Sequence, residues 1–265
     1  MAVAGIELLN FSLRFCNEPL FEGLNAHFAA GQWHSLLGRS GVGKSSLIKA
    51  IAGLLQGYEQ SGEIRADDGQ PLLGRIAWMA QDDLLLPWLT VEQNIQLGPR
   101  LRREQSTASQ TRALELLALV GLSGMAQRMP AQLSGGQRQR VALARTLMED
   151  KPIVLIDEPF SALDVSTRLQ IQDLFVELLK DKTVLLITHD PMEALRLSQQ
   201  VWLMQGDPVR LQTELSLSST TPRALDDGEL IHWQSHLLRL LMSPTDTIEQ
   251  KSAAIAIEQG TGARL

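Results

Sequence analysis

Glycine, lysine and serine are spaced between Gly38 and Ser45 in the pattern of a phosphate-binding loop. Because glycine lacks a Cβ, successive backbone N–H groups can converge on anionic oxygens there, and a following helix adds the positive end of its dipole. Lys44 can reach the β- and γ-phosphates of a nucleotide, and Ser45 can ligate Mg²⁺. The residues expected to contact the nucleotide here are Gly38, Arg39, Ser40, Gly41, Val42, Gly43, Lys44, Ser45 and Ser46.

Two carboxylates, Asp157 and Glu158, follow directly after the apolar run Ile153–Ile156. Such a run is typical of a buried strand, and α/β proteins place their chemistry at the carboxyl ends of parallel strands. Asp157 is suited to hold Mg²⁺ there, and Glu158 is suited to polarise an attacking water. Acidic pairs at strand ends also cap the next helix, but the phosphate loop earlier in the chain favours the chemical role.

A second segment with phosphate-binding character is Leu133–Gln137, which reads Leu-Ser-Gly-Gly-Gln. A serine at the start of a helical pattern is a good N-cap in any protein. The same geometry allows the Ser134 hydroxyl, and the N–H groups of Gly135 and Gly136, to bind a γ-phosphate with the helix dipole behind them. One chain would then carry two separate phosphate-facing surfaces.

The elements around these residues predict a parallel sheet covered on both faces. His34–Leu37 is a short strand that leads into the phosphate loop, and Ser46–Leu55 has the apolar spacing of a helix. Continuous apolar strands then alternate with helices, which is typical of a parallel α/β sheet. These strands are expected at residues 153–156, 183–187 and 201–204.

The rest of the chain divides by composition. Strands are expected at Ile6–Phe15 and Asn25–Phe28, and residues 83–150 read as a mainly helical insertion. We expect one catalytic domain over residues 1–215, followed over residues 216–265 by a linker, an amphipathic helix and a tail. The Ser/Thr-rich linker should begin beyond Gln212, and the helix Asp227–Met242 should dock on its own domain.

Composition excludes some classes of protein. With 265 residues, 44% of them hydrophobic, the chain can bury a full core, and a net charge of −6 gives no basis for non-specific nucleic-acid binding. The single cysteine, Cys16, rules out an intramolecular disulfide, fits a reducing compartment and is expected to be buried. We find neither a signal-peptide pattern nor an apolar stretch of the ~18 residues that a membrane span needs. These features predict a soluble cytoplasmic protein.

Taken in order, the motifs resemble those of the ATP-binding subunit of an ABC transporter, and the similarity covers about residues 5–210. The matching segments are Walker A at Gly38–Ser45, the Q-loop residue Gln81, the signature at Leu133–Gln137, Walker B at Ile153–Asp157 followed by Glu158, the D-loop at Ser161–Asp164 and the switch histidine His189. The resemblance implies an α/β P-loop NTPase fold with a parallel-sheet core, N-terminal antiparallel strands and an inserted helical subdomain.

It also implies a head-to-tail homodimer that binds ATP and Mg²⁺. Each ATP would be sandwiched between Walker A of one copy and the signature of the other, so that Ser134, Gly135, Gly136 and Gln137 contact the nucleotide of the partner. The implied roles are general base for Glu158, γ-phosphate contact for His189, contact with Mg²⁺ and the attacking water for Gln81, and coupling of the two sites for Asp164.

An aromatic residue that stacks on adenine is also implied. The family usually has tyrosine there, but the only tyrosine of this chain, Tyr58, lies after the predicted helix Ser46–Leu55. Phe15 falls at the matching position. A phenyl ring can stack on the base. A core role for Phe15 is the alternative.

The segment Met79–Val91, with its Leu-Leu-Pro-Trp stretch, resembles Q-loops of the nitrate/sulfonate/taurine importer branch. Within that branch it most resembles ATPases assigned to hydroxymethylpyrimidine, a thiamine precursor. An apolar patch with Trp88 would suit the coupling helix of a permease, and local core packing is the alternative for Leu84–Leu86. Such an importer implies membrane permease subunits, indirectly a periplasmic solute-binding protein, and a place at the cytoplasmic face of the inner membrane.

Two other classes compete with a transporter subunit. A soluble ABC ATPase of DNA repair or of the ribosome generally has long coiled coils or two cassettes, and this chain has one cassette and no long heptad run. A P-loop kinase for a small metabolite would have no use for the signature at Ser134–Gly136.

Overall fold

The computed structural model describes residues 3–242, apart from the side chains of residues 213 and 214. The strands are β1 (Ile6–Phe15), β2 (Glu18–Phe28), β3 (Trp33–Gly38), β4 (Glu59–Ala66), β5 (Ile76–Met79), β6 (Ile153–Asp157), β7 (Thr183–Thr188), β8 (Gln200–Gln205) and β9 (Arg210–Ser216). The α-helices are α1 (Lys44–Ile51), α2 (Val91–Ile95), α3 (Leu97–Leu101), α4 (Thr107–Leu119), α5 (Gly135–Met148), α6 (Val165–Leu178), α7 (Pro191–Leu197) and α8 (Gly228–Met242). A 3₁₀ turn spans Pro130–Gln132.

A mixed sheet with strand order β5–β6–β7–β3–β8–β9 forms the centre of the molecule. The strands from β5 to β8 run parallel, and β9 pairs antiparallel with β8. On β6, Val154 and Ile156 pack into one core with α5 and α6, whereas Ile153 and Leu155 pack into a second core with α1 and the N-terminal strands. Because both faces are covered, the strands are continuous apolar runs. The predicted parallel core is confirmed.

The N-terminal strands form a separate antiparallel sheet with the order β2–β1–β4. β1 and β2 are joined by a tight turn in which Cys16 has φ 49° and Asn17 has φ 69°. Both residues are therefore in the left-handed region that a two-residue hairpin turn requires. The expectation that Cys16 is buried is wrong, because a turn at the end of a hairpin exposes its side chain.

The predicted helical insertion is confirmed in α2–α5. Three of its helices begin at capping boxes, in which the N-cap side chain and the side chain three residues later satisfy each other's backbone N–H groups. The N-caps are Thr90, Ser106 and Ser134. α2 and α4 pack against α5, so the helix that begins at the signature is the central element of this subdomain.

Some elements have weak sequence patterns. β4 is polar and mostly exposed because it lies at the edge of the antiparallel sheet, and β5 is only four residues long. β2 begins at Glu18 rather than Asn25. The linker expected beyond Gln212 begins later, because Arg210–Ser216 continues the sheet as β9.

α8 packs on the body of the domain, as expected for an amphipathic helix. Leu230 and Leu237 are fully buried in a cluster with Leu37 of β3 and with Ala194 and Leu195 of α7. The domain boundary at residue 215 stays a prediction, and the predicted tail beyond Met242 lies outside the described residues. Within residues 3–242, no helix has the length and apolar character needed to cross a membrane.

Candidate nucleotide site

The phosphate loop connects the buried strand β3 to α1. Gly41 and Gly43 have φ values of 82° and 100°, which only glycine adopts without strain. Gly38 is required for a different reason, since a Cβ there would lie 2.7 Å from the carbonyl oxygen of Met204 on the neighbouring strand β8. The loop is therefore fixed by backbone conformation at one end and by close strand packing at the other.

Lys44 lies almost buried at the first position of α1. Its ammonium donates hydrogen bonds to the carbonyl oxygens of Gly38 (2.8 Å) and Arg39 (2.9 Å), which hold it over the concave side of the loop. Burial lowers the pKa of Lys44, and the negative charges of Glu158 and Asp157 act in the opposite direction. The cation is thus placed where anionic oxygens would meet both the loop N–H groups and a positive charge.

Asp157 ends β6 beside this loop and is nearly fully buried. Burial raises the pKa of its carboxyl group, and a hydrogen bond from the Ser45 side chain acts against that rise. The contact places two oxygen atoms of the kind that Mg²⁺ prefers side by side. Among residues 3–242, no group of three His, Cys, Asp or Glu side chains could hold a metal ion. The oxygens of Ser45 and Asp157 fit Mg²⁺ that takes its remaining ligands from phosphate oxygens and water.

Glu158 is held between two polar side chains from different loops. Its Oε2 lies 3.4 Å from Nε2 of Gln81, and its Oε1 lies 3.2 Å from Nδ1 of His189. The backbone N–H of Glu158 donates to the carbonyl oxygen of Ile187 on β7 (3.0 Å), and its φ of 46° turns the chain sharply out of the sheet. Gln81, Glu158 and His189 meet because each follows one of the neighbouring strands β5, β6 and β7, whose carboxyl ends lie at the same edge of the sheet.

These residues line one open cleft of about 450 Å³. Its walls are Ser40, Gly41, Gly43, Lys44, Ser45, Ser46, Gln81, Glu158 and His189. The cleft joins backbone N–H donors, a buried cation and a carboxylate. Such a site can bind a polyphosphate and deprotonate a water beside it.

The signature residues lie elsewhere. The Ser134 hydroxyl accepts from the Gln137 N–H (3.2 Å) and the Gln137 side chain accepts from the Ser134 N–H (2.9 Å), which caps α5. Ser134 and Gly135 are exposed, and Gly136 packs against the D-loop, where a Cβ would lie 3.3 Å from the Ala162 carbonyl oxygen. None of the described residues that line the cleft belongs to the signature.

Comparison with known proteins identifies the family of this chain. A family model described as ABC transporter matches residues 21–161. An uncharacterized ABC transporter ATP-binding protein of Haemophilus influenzae is 45% identical over 241 residues, covering 89% of this chain and 98% of that protein. The chain belongs to the ABC transporter family. It is an ATP-binding subunit of that family, and its enzymatic activity is ATP hydrolysis.

Two further matches are a named importer subunit and a solved structure. The aliphatic sulfonates import ATP-binding protein SsuB 1 of Rhodococcus jostii is 39% identical over 248 residues, which cover 93% of this chain and 97% of that protein. Among solved structures, the dimeric post-hydrolysis state of the ATP-binding cassette MJ0796, bound to ADP and Pi, superposes with a TM-score of 0.70. It is 29% identical, and the match covers 81% of this chain and 100% of that cassette. The predicted ABC ATPase fold is confirmed.

Phe15 lies at the tip of the β1–β2 hairpin and is 54% exposed, so the alternative core role is wrong. Its ring centroid is 5.2 Å from that of Tyr58, at an angle of 44°. The hairpin reaches the phosphate loop through β2, since a Cβ on Gly43 would lie 3.1 Å from Phe21 and 3.2 Å from Leu20. Tyr58 was not among the expected site residues, because nothing in its sequence position links it to Phe15.

The Q-loop is held by residues that the motif itself does not reveal. Buried Asn94 of α2 accepts from the Leu86 N–H (2.8 Å) and donates to the Leu89 carbonyl oxygen (3.1 Å). Arg138 of α5 donates to the Asp83 carboxylate at 2.9 Å, which joins the Q-loop to the signature helix. In this clamped loop Leu85 is buried, whereas Leu84 and Trp88 are exposed, Trp88 by 69%. Core packing thus accounts for Leu85 and not for Leu84 or Trp88.

Three other expected site residues do not line the cleft. Asp164 caps α6 by accepting from the Thr167 N–H (3.0 Å), and hydrogen bonds from Thr167 and Ser166 lower its pKa to about 2. Arg39 and Val42 line a small cavity with Gly206 and the α8 residues Leu240 and Leu241. The roles of all these side chains in binding or catalysis stay predictions.

Proposed function

We propose that this ABC ATPase energises import of a small solute, with Glu158 as the general base. The observation that carries the assignment is the position of the Glu158 carboxylate between Gln81 and His189, in the same cleft as Lys44 and Ser45. A carboxylate with partners on both oxygens is held in one orientation, as a base must be before proton transfer.

In the proposed reaction a water attacks the γ-phosphorus of ATP while Glu158 takes one of its protons. A new bond forms between the water oxygen and phosphorus, and the bond to the β–γ bridging oxygen breaks, so that ADP and phosphate result. Lys44 and the loop N–H groups hold the β- and γ-phosphates, Gln81 orients the water, and the second ring nitrogen of His189 contacts the γ-phosphate. Mg²⁺ held at Ser45, Asp157 and Gln81 would neutralise charge on the phosphate oxygens.

We further propose that the working unit is a head-to-tail dimer. The cleft supplies the phosphate loop and the base, and the exposed N-terminus of α5 at Ser134 and Gly135, which lies outside the cleft, supplies a second set of N–H donors. A second copy could bring that surface onto the γ-phosphate, with Gln137 beside it and Asp164 of the D-loop between the two sites. Phe15, with Tyr58 beside it, would stack on adenine.

The exposed Leu84 and Trp88 are the proposed contact for a permease. Both project from a loop that begins at the cleft residue Gln81 and is tied to α5 through Asp83 and Arg138. A helix of the permease that presses on this patch would therefore bear on the Q-loop and on the signature helix together. The subunit would sit at the cytoplasmic face of the membrane, and a periplasmic solute-binding protein would deliver the solute to the permease from the other side.

For the solute, we infer a small molecule of the kind that nitrate/sulfonate/taurine importers carry. Support comes from the Leu-Leu-Pro-Trp stretch and from several relatives named for aliphatic sulfonates, at about 40% identity. Hydroxymethylpyrimidine is the more specific hypothesis that the Q-loop resemblance suggests.

The experiment is to sequence the neighbouring genes and to coexpress the full chain with a permease and a solute-binding protein encoded there. We expect copurification with the permease, and uptake of labelled solute that stops with Glu158→Gln. Supplying an alkanesulfonate and hydroxymethylpyrimidine in parallel separates the two solute hypotheses. Copurification with ribosomes or DNA in place of a permease would instead support the soluble, non-transport ATPase.

A further inference from the structure

A row of polar contacts joins the two helices that follow the D-loop and the switch histidine. α6 begins after Asp164, and α7 begins after Asp190, the residue that follows His189. Arg168 and Gln172 are four residues apart on α6, and Glu193 and Arg196 are three apart on α7, so each pair lies on one face of its helix. These four side chains, with Asp173 and Asp190 at the edges, form what we call the α6–α7 ladder.

The ladder has three steps. At the end near the cleft, an Arg168 N–H donates to the Leu163 carbonyl oxygen of the D-loop (3.1 Å), and another lies 4.0 Å from the Asp190 carboxylate. In the middle, the Gln172 amide donates to Glu193 (3.0 Å). At the far end, Arg196 donates to the Gln172 amide oxygen (2.9 Å) and to the Asp173 carboxylate.

The middle of the ladder is buried: Gln172, Glu193 and Arg196 are 2%, 7% and 8% exposed. Buried polar groups cost free energy unless they are hydrogen-bonded, and the Gln172 amide satisfies a donor and an acceptor at once. Among the described residues, however, Nε of Arg168 and Nε of Arg196 have no partner. An apolar contact would avoid this cost, whereas hydrogen bonds fix the two helices in one register.

The ladder also contacts the switch loop, residues 188–190, through the side chain of Glu193. Glu193 is hydrogen-bonded to the Thr188 side chain, and the Thr188 hydroxyl accepts from the Asp190 N–H (3.0 Å). His189 lies between these two residues, and its ring contacts the Glu158 carboxylate. A shift of α7 along α6 would therefore move His189 relative to Glu158 and the D-loop.

We propose that Arg168, Gln172 and Glu193 are positioning residues that set His189 in a fixed relation to the D-loop. The inference rests on the proposed function, because the D-loop and His189 matter there for ATP turnover. The ladder touches neither the phosphate loop nor the base, so it should affect turnover and not the binding of ATP. Since the D-loop faces the partner in the proposed dimer, the ladder would transmit the closure of that interface to the switch histidine.

The charge of Glu193 adds a pH-dependent feature. The pKa of Glu193 is raised to about 7, chiefly by burial and also by the nearby charge of Asp190, against the hydrogen bonds from Thr188 and Gln172 and the charge of Arg168, which lower it. Near neutral pH the group is thus close to its titration point, and the hydrogen bond from Gln172 tolerates both protonation states of the carboxyl group.

The first test compares Gln172→Leu with Gln170→Leu, the same substitution at an exposed position on the same helix. In the full-length chain, Gln172→Leu should lower kcat for ATP about tenfold. The Kd for ATP should stay within about twofold, and Gln170→Leu should change neither. Leu24→Ala, a buried site on β2, controls for lost stability alone. Equal effects of the two Gln→Leu variants, a kcat loss matched by Leu24→Ala, or a parallel loss of ATP affinity would overturn the proposal.

A second test exchanges the two central groups and does not depend on Gln172→Leu folding. Gln172→Glu places two carboxyl groups in contact, which is tolerated only while one is protonated, so its kcat should fall as the pH rises above about 7. Adding Glu193→Gln restores an amide–carboxylate pair, and kcat should return to within about threefold of wild type with a flat pH profile. A double variant as impaired as the single one would show that the contact itself does not matter.

A third readout separates this inference from the proposed function. Amide hydrogen exchange of residues 188–190 and 161–164 should accelerate in Gln172→Leu and not in Gln170→Leu, whether or not the wild-type chain transports any solute. Unchanged exchange of both segments in Gln172→Leu would refute the proposed role of the ladder, even if the wild-type chain hydrolyses ATP normally. Faster exchange in a protein that fails to copurify with a permease refutes the transport proposal alone.

Discussion

The cleft and the signature surface are both built for phosphate, but they differ in what surrounds them. In the cleft, Lys44, Glu158, Gln81 and His189 converge from four segments that each follow a different strand of the central sheet, and the cation is buried. At the signature, Ser134 and Gly135 stand exposed at the end of α5, and the nearest support is the D-loop behind Gly136. The cleft has a general base but is open on one side, whereas the signature surface offers phosphate-binding groups but has no base. The difference is what each half of a shared site would look like.

The largest expected effect is on the base. Glu158→Gln keeps the hydrogen-bonding shape between Gln81 and His189 but removes the proton acceptor, so kcat should fall about 10³- to 10⁴-fold while ATP still binds. Because ATP is then trapped, size-exclusion chromatography with ATP should show an accumulated dimer. Normal turnover, or a monomer under all conditions, would remove Glu158 from this role.

Ser134→Arg addresses the other half of the comparison. A long cation at the start of α5 blocks the N–H groups of Gly135 and Gly136, so turnover should fall about 100- to 1000-fold, as for loss of a transition-state donor. ATP affinity of the monomer should be nearly unchanged, because the cleft contains no signature residue. A weakened monomer affinity would contradict the separation of the two surfaces.

Lys44→Ala should show the opposite pattern. Loss of charge-assisted contacts to phosphate costs about 1.5–3 kcal/mol, which corresponds to a roughly 10- to 150-fold weaker Kd for ATP in the monomer. Fluorescence titration with a labelled ATP analogue measures it, and Lys49→Ala on the same helix is the matched control. Equal affinities for the two variants would mean that Lys44 does not contact the nucleotide.

The contrast between the regions also explains what the sequence could predict. Phosphate loop, strand-end carboxylates and helix cap are local patterns, and each is where it was expected. The contact between Gln81 and Glu158 depends on β5 lying beside β6, and β5 is too short to give a clear apolar pattern. Phe15 meets Tyr58 only through the pairing of β1 with β4, which is polar because it is an edge strand. Both contacts depend on which strands are neighbours in the sheets, and local sequence propensity does not reveal that.

The smallest expected effect separates two roles of one hydroxyl. Ser134→Ala removes the N-cap of α5 and should cost about 1 kcal/mol of stability. Ser106→Ala removes the equivalent cap of α4, which has the same capping-box arrangement, and should cost about as much in thermal or urea unfolding. Only Ser134→Ala should also lower kcat, by about tenfold, because only that hydroxyl would face the γ-phosphate of the partner copy. If the two variants lose stability and turnover alike, Ser134 acts as a cap alone and the phosphate contact must come from the backbone of Gly135 and Gly136.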